Sequence, residues 1–233
     1  MVPEPWFSHW NYHTLQLLRH LPHSGMTDGF CDLLIGTPLL STWVFAACFY
    51  RYWTKQDDQK AWRRRCLVSS VVAFGIAGLV TVVLRPWIHW VAPVLSPNFQ
   101  SLFPSYRWGN GSENCFPSHS TLVYFMIALG FWPLNRRLCL WLSGVTLFFI
   151  SLPRVYAGGH YPIDVLFSCL LDLLMIVPIR RWLLAAVPSN WHIGGKPQEA
   201  IRDMLFFVWV FELGEGFRSV ESLAALARHL FSS

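Results

Sequence analysis

The chain has 233 residues, of which 54% are hydrophobic and only 13% charged, with a net charge of +5. A water-soluble domain carries about 25% charged residues, so this composition excludes a surface that meets water on every side and fits one that meets lipid. The positive charge does not mark a nucleic-acid binder, because Lys and Arg stand in short clusters between apolar runs, where they act as topology signals.

Residues Met1 to Phe30 lack a charged start followed by an apolar core, so no signal peptide is expected. Within them, Trp10, Leu17, Leu18 and Leu21 are spaced for an amphipathic helix over Trp6 to Leu21, lying on the membrane surface. His9, His13, His20 and His23 fall in or beside it. With no carboxylate or third ligand at a diagnostic spacing they read as surface histidines, not a metal site. Five apolar runs follow: Phe30 to Trp53, Cys66 to Leu84, Ser118 to Leu134, Leu138 to Leu152 and Tyr161 to Ile179. Several lie near the short limit of about 17 residues for a spanning helix. A spanning segment must satisfy its backbone internally, which these lengths achieve as helices. After Trp182 the apolar Leu205 to Leu213 is too short to span, and Ser222 to Phe231 suits an amphipathic helix. The expected architecture is an all-α, multi-pass transmembrane helical bundle of about five to six spans with amphipathic N- and C-terminal helices. Its parts are an N-terminal interfacial helix (1–29), a transmembrane domain (30–181) and a cytoplasmic or interfacial helical tail (182–233).

Charge sets the orientation. Lys55, Lys60 and Arg63 to Arg65 follow the first run, Arg136 and Arg137 the third, and Arg180 and Arg181 the fifth. With five spans these share one side, which the positive-inside rule makes cytoplasmic. The outer side receives the N-terminal segment, the loop from Pro86 to Pro117 and the short loop from Pro153 to His160.

Three groups of reactive residues fall on that outer side. Arg154, His160 and Asp164 are spaced by six and four residues, and Pro162 suits the first turn of the helix that follows. Asp164 is placed about one turn from His160, to take the proton of one imidazole nitrogen and leave the other as nucleophile. Arg154 forks onto phosphate oxygens. Pro117, Ser118, His119 and Ser120 open the third span, where a serine caps the helix and free backbone N–H groups receive an anion. Arg85 and Pro86 end the second span. The six cysteines show neither zinc spacing nor a disulfide framework; Cys115, beside the second group, reads as a packed free thiol. Asp172 lies two turns past Asp164 inside the fifth span, where a carboxylate is costly.

With these residues the sequence resembles the type 2 phosphatidic acid phosphatase family of membrane lipid phosphatases and vanadium haloperoxidases, over roughly Val71 to Val165. The family motifs read KxxxxxxRP, PSGH and SRxxxxxHxxxD; they are met here by Arg85 and Pro86, by Pro117 and Ser118, and by Arg154, His160 and Asp164. The resemblance implies that His160 attacks phosphorus to give a phosphohistidine, that Asp164 orients it, and that Arg85, Arg154, Ser118 and the amides near His119 hold the phosphate. It implies neither metal nor cofactor. The lysine position of the first motif is Gly78, the serine before Arg154 is Pro153, and the second motif reads Pro-Ser-His-Ser, so His119 stands one position early and Ser120 occupies the place of the general acid. A weakened acid favours a leaving group that needs no proton. The expected substrate is therefore a lipid diphosphate such as undecaprenyl diphosphate, cleaved on the outer face of a bacterial plasma membrane. The alternatives are a lipid phosphotransferase using the same phosphohistidine and a non-catalytic lipid-binding protein on this fold.

Overall fold

The computed structural model describes residues 8–19, 25–36, 38–84, 87–88, 90–96 and 115–186. Among these there is no strand. Eight α-helices are present: α1 (Ser8–Arg19), α2 (Gly25–Gly36), α3 (Pro38–Thr54), α4 (Lys60–Leu84), α5 (His119–Gly130), α6 (Arg136–Val145), α7 (Leu152–Tyr156) and α8 (Pro162–Ala186). The all-helical membrane architecture read from the sequence is the one found. Arg85, Pro86, His20, His23, His89, the loop across Arg107 and Trp108, and the tail from residue 187 lie outside the described residues.

Among the described residues, three helical stretches are long and apolar enough to cross a membrane: Lys60–Thr81, Arg136–Tyr156 and Pro162–Ala186. The run expected as one span from Phe30 to Trp53 is two helices that part at Pro38, whose ring and missing N–H interrupt a continuing helix. The second span starts at Lys60 and not at Cys66, so Arg63 to Arg65 are helical, and Arg63 and Arg64 are buried. They close the end of α3. Arg63 donates to the carbonyls of Tyr52 and Lys55 and pairs with Asp57 at 2.6 Å. Arg64 Nε donates to Trp53 O at 3.1 Å while its guanidinium lies 4.7 Å from the Trp53 ring. Cations at a helix C-terminus satisfy carbonyls that have no intrahelical partner. The hydrogen bonds from Arg63 hold the Asp57 carboxyl below the usual carboxylate range, with Lys55 adding to the effect.

The fourth span is longer than expected, running without a break through Pro153 to Tyr156. Its wide turns at Thr146–Ser151, where Leu152 N–H reaches back to Leu147 O, form a π-helical segment just before the proline. The extra residue per turn makes room for a ring that would otherwise collide with the preceding turn. Arg154 consequently sits in the last helical turn and not in a loop. The fifth span also overruns its expected end, through Arg180 and Arg181 to Ala186 with Pro178 inside it.

Nine of the 12 residues of α5 are buried, which makes it the central post of the bundle. It packs on α4, α6 and α8. Phe45 and Phe49 of α3, Tyr124 and Met126 of α5 and Leu142 of α6 fill the core with Phe131. Lipid is as apolar as leucine, so close packing and interhelical hydrogen bonds must hold the helices together. Thr42 and Tyr124 hydroxyls meet at 2.6 Å, and Arg180 donates to Leu129 O at 2.8 Å. α4 and α5 approach closely at Gly130, where an added Cβ would stand 2.7 Å from Ser70 Oγ and 2.8 Å from Ser70 Cβ.

That contact predicts a coupled pair. Gly130→Ala should cost about 1–3 kcal/mol through overpacking, read as a lower unfolding midpoint in detergent. Adding Ser70→Gly should recover part of the loss. Simple addition of the two single effects would show that the helices do not meet there.

Candidate active site

α5 and α8 both begin at the end of the bundle opposite the arginines that tie α4 to α3 and α8 to α5. Between them lie the segment Cys115 to Ser118 and the turn after α7. The turn forms because Ala157 N–H and Gly159 N–H fold back to Pro153 O and Arg154 O, both at 2.9 Å. Gly158 has φ of 74°, a left-handed conformation that glycine adopts without penalty, and its carbonyl accepts Val94 N–H at 3.0 Å. His160 follows directly.

The decisive contact is His160 Nδ1 to the carbonyl oxygen of Cys115, at 2.9 Å. A carbonyl only accepts, so Nδ1 carries the proton and the lone pair of the neutral ring is on Nε2. Asp164 was expected to take this proton, but its Oδ2 is 3.7 Å from Nδ1, beyond hydrogen-bond reach. Oδ2 instead accepts Tyr161 N–H at 2.8 Å. Tyr161 is the residue before α8 and Asp164 the third within it, so the carboxylate reaches back to the start of its own helix, as the acidic half of a capping box does. Asp164 is fully buried, and its Oδ1 has no hydrogen-bond partner. It thus anchors the turn carrying His160 and places negative charge behind the ring.

Ser118 stands at the N-cap of α5 as expected but does not cap the backbone with its side chain. Its hydroxyl meets Thr121 Oγ1 at 2.8 Å, and Thr121 Oγ1 meets Ser151 Oγ at 2.8 Å. All three are buried. Ser151 donates on to Thr146 O across the π-helical turns, and Ser168 Oγ bridges Asp164 O at 2.8 Å and Ser118 O at 3.1 Å. This polar layer joins α5, α8 and the π-helical segment directly beneath the motif residues. At the start of α5 Leu122 N–H bonds Ser118 O at 3.0 Å, and the N–H groups of a helix's first turn point outward from that end, the geometry that suits an anion.

Arg154 is buried, with Nη1 donating to Ile150 O at 2.8 Å. His119 is half-buried with its ring 5.9 Å from that of Phe74 on α4. Arg85 falls outside the described residues. His9 and His13 lie side by side on the exposed face of α1, with Nε2 atoms 3.1 Å apart. Asp172 is fully buried one turn below Ser168, and neither carboxylate oxygen has a hydrogen-bond partner among the described residues.

Several residues at this site carry no functional signal in the sequence. Asn11 of α1 is buried and accepts Ile163 N–H at 3.4 Å, and Tyr156 donates to Asp28 of α2 at 2.8 Å. The N-terminal helices therefore clasp the turn between α7 and α8. Cys115 matters first through its carbonyl. Its thiol is buried, and burial, followed by the negative charge of Asp164, pushes it well above the ordinary thiol range. Ser168 alone had a readable signal, since it lies one helical turn from both Asp164 and Asp172.

Residues 65–188, more than half of the chain, match the family model described as the PAP2 superfamily. The chain belongs to the PAP2 superfamily. It is similar to phosphatidylglycerophosphatase B of Bacillus subtilis (strain 168), with 23% identity over 77% of this chain and 77% of that one. It is also similar to the bacitracin transport permease protein BcrC of Bacillus licheniformis, with 26% identity over 53% of this chain and 57% of that one. No solved structure matches it. The PAP2 chain is thus a membrane enzyme of the phosphoric-ester hydrolase class, a lipid phosphatase.

The two roles of Asp164 are separable. Asp164→Asn retains an oxygen for Tyr161 N–H but removes the charge. It should unfold close to the wild type while losing on the order of a hundredfold or more in rate. Asp164→Ala loses both and should also be destabilised by about 1 kcal/mol. An asparagine variant that is unstable but retains its rate would make Asp164 a structural residue only.

Proposed function

We propose that this PAP2 chain hydrolyses a lipid diphosphate, with undecaprenyl diphosphate the best candidate, through a phosphohistidine on His160. The single observation that carries the reading is the 2.9 Å contact of Nδ1 with the Cys115 carbonyl, which leaves the lone pair on Nε2. Nε2 attacks the terminal phosphorus, the bridging P–O bond breaks, and the lipid monophosphate departs. Water then attacks the phosphohistidine, the P–N bond breaks, and inorganic phosphate leaves while the ring returns to its neutral form. Asp164 stabilises the positive charge that the ring acquires on attack. Arg154, Arg85 and the N-terminal amides of α5, with Ser118 setting the start of that helix, hold the equatorial oxygens as their charge grows.

The substrate class follows from the acid. His119 occupies the position before the family's own histidine, and Ser120 has no useful acidity. A departing phosphate is stable near neutral pH without a proton, whereas an alkoxide is not. His119 is the candidate proton donor for whatever assistance the leaving group receives. The name of the Bacillus subtilis relative favours a second reading, a phosphatidylglycerophosphate monoester. The basic residues at the far end of the bundle support a cytoplasmic location for that end and an extracytoplasmic site in a bacterial plasma membrane.

The test compares phosphate release from undecaprenyl diphosphate, phosphatidylglycerophosphate and phosphatidate by the purified protein in detergent, beside His160→Ala. The diphosphate should be cleaved fastest and the variant should be inactive. His119→Ala should slow the monoesters by about 10²-fold or more and the diphosphate far less. Faster cleavage of phosphatidate by the wild type would overturn the substrate assignment.

A further inference from the structure

Cys115, His160 and Asp164 each present a donor atom, and the three atoms lie within 4.8 Å of one another. Nothing in the phosphatase mechanism uses the thiol. The sulfur, a ring nitrogen and a carboxylate oxygen form a mixed set of the kind that binds zinc. A second observation points the same way. Asp164 Oδ1 is buried without a partner, although its sister oxygen is fully engaged by Tyr161 N–H. A buried carboxylate oxygen with no donor is costly, and a cation would satisfy it. The side chain of His160 is 15% exposed, so the cluster has an opening, whereas Asp164 is closed off.

We infer that Cys115, His160 and Asp164 bind a soft divalent cation such as zinc, and that this binding switches the enzyme off. Donors around tetrahedral zinc stand about 3.4 Å apart, given bonds of about 2.0–2.3 Å. The cluster reaches that spacing by closing about an ångström. Nδ1 is the ring nitrogen on the side of Asp164, 3.7 Å from Oδ2, so it is the one that binds, and in doing so it gives up its hydrogen bond to the Cys115 carbonyl. Its proton then moves to Nε2 through solvent. The S–H bond breaks as the metal–sulfur bond forms, and one net proton is released for each cation bound. Thiolate and carboxylate together neutralise the two positive charges, so binding replaces the single negative charge of Asp164 with a neutral cluster. With a proton on Nε2 there is no lone pair to attack phosphorus. Binding rests on the geometry of the cluster, and inhibition rests in addition on the reading of His160 as nucleophile.

The experiment titrates the full-length protein in detergent with cobalt(II), then with zinc, in the absence of thiol reductants. Cobalt should produce a thiolate-to-metal charge-transfer absorption that zinc displaces and a chelator abolishes. Cys115→Ser and Cys115→Ala should both lack it, although the other five cysteines remain. In parallel, zinc should inhibit lipid phosphate release by the wild type. Each Cys115 variant, measured against its own metal-free rate, should need more than about tenfold more zinc for the same inhibition. An absorption band that never appears, or persists in both variants, would overturn the site. Unchanged inhibition in the variants would overturn the switch. A band that depends on Cys115, in a wild type without phosphatase activity, would uphold the metal site and count against the proposed function alone.

Discussion

The hydrogen bond from His160 to the Cys115 carbonyl is the contact around which this end of the molecule is arranged. It joins two stretches of chain 45 residues apart and fixes which imidazole nitrogen has a lone pair. An unfixed imidazole would divide its population between tautomers, of which only one has its lone pair on Nε2. Each neighbouring feature limits the motion of one of the two partners. The capping contact of Asp164 holds the start of α8, the left-handed Gly158 sets the preceding turn, and the Ser118–Thr121–Ser151 chain fixes the floor.

The membrane explains why so much hydrogen bonding is concentrated there. In lipid, apolar side chains gain little by turning inward, so position must come from packing and polar contacts. The Gly130–Ser70 approach brings α4 and α5 together at one level. At the other level the polar layer ties α5 and α8 to the π-helical turns. A π-helical segment is a less stable arrangement than an α-helix. Here it lets a continuous span pass through Pro153 and deliver Arg154 to the site while still in helical geometry. The buried Asn11 and the Asp28–Tyr156 contact extend the same restraint to α1 and α2, which lie against the turn that carries His160.

The helical class, the membrane setting and the third-motif residues were legible in the sequence because each leaves a local trace. Apolar runs mark lipid-facing helices, and the spacing of Arg154, His160 and Asp164 is a one-dimensional pattern. Helix ends were less legible. Arg63 and Arg64 look like loop charges until the carbonyls of α3 are seen beneath them, and Pro153 looks like a helix stop until the π-helical turns absorb it. The partner of His160 was missed for a deeper reason: a backbone carbonyl has no side-chain signature, so any residue at position 115 would read the same. The expected Asp164–His160 hydrogen bond was right in topology but wrong in reach, because the carboxylate is committed to Tyr161 N–H.

The most direct test of the account is to find the covalent intermediate. The purified enzyme would be mixed briefly with a lipid diphosphate and quenched in alkali, which preserves a P–N bond, and its peptides mapped by mass spectrometry. The account predicts one phosphate on His160, attached at Nε2, which disappears as inorganic phosphate accumulates. Turnover with no phosphorylated residue, or with phosphate on another side chain, would contradict it.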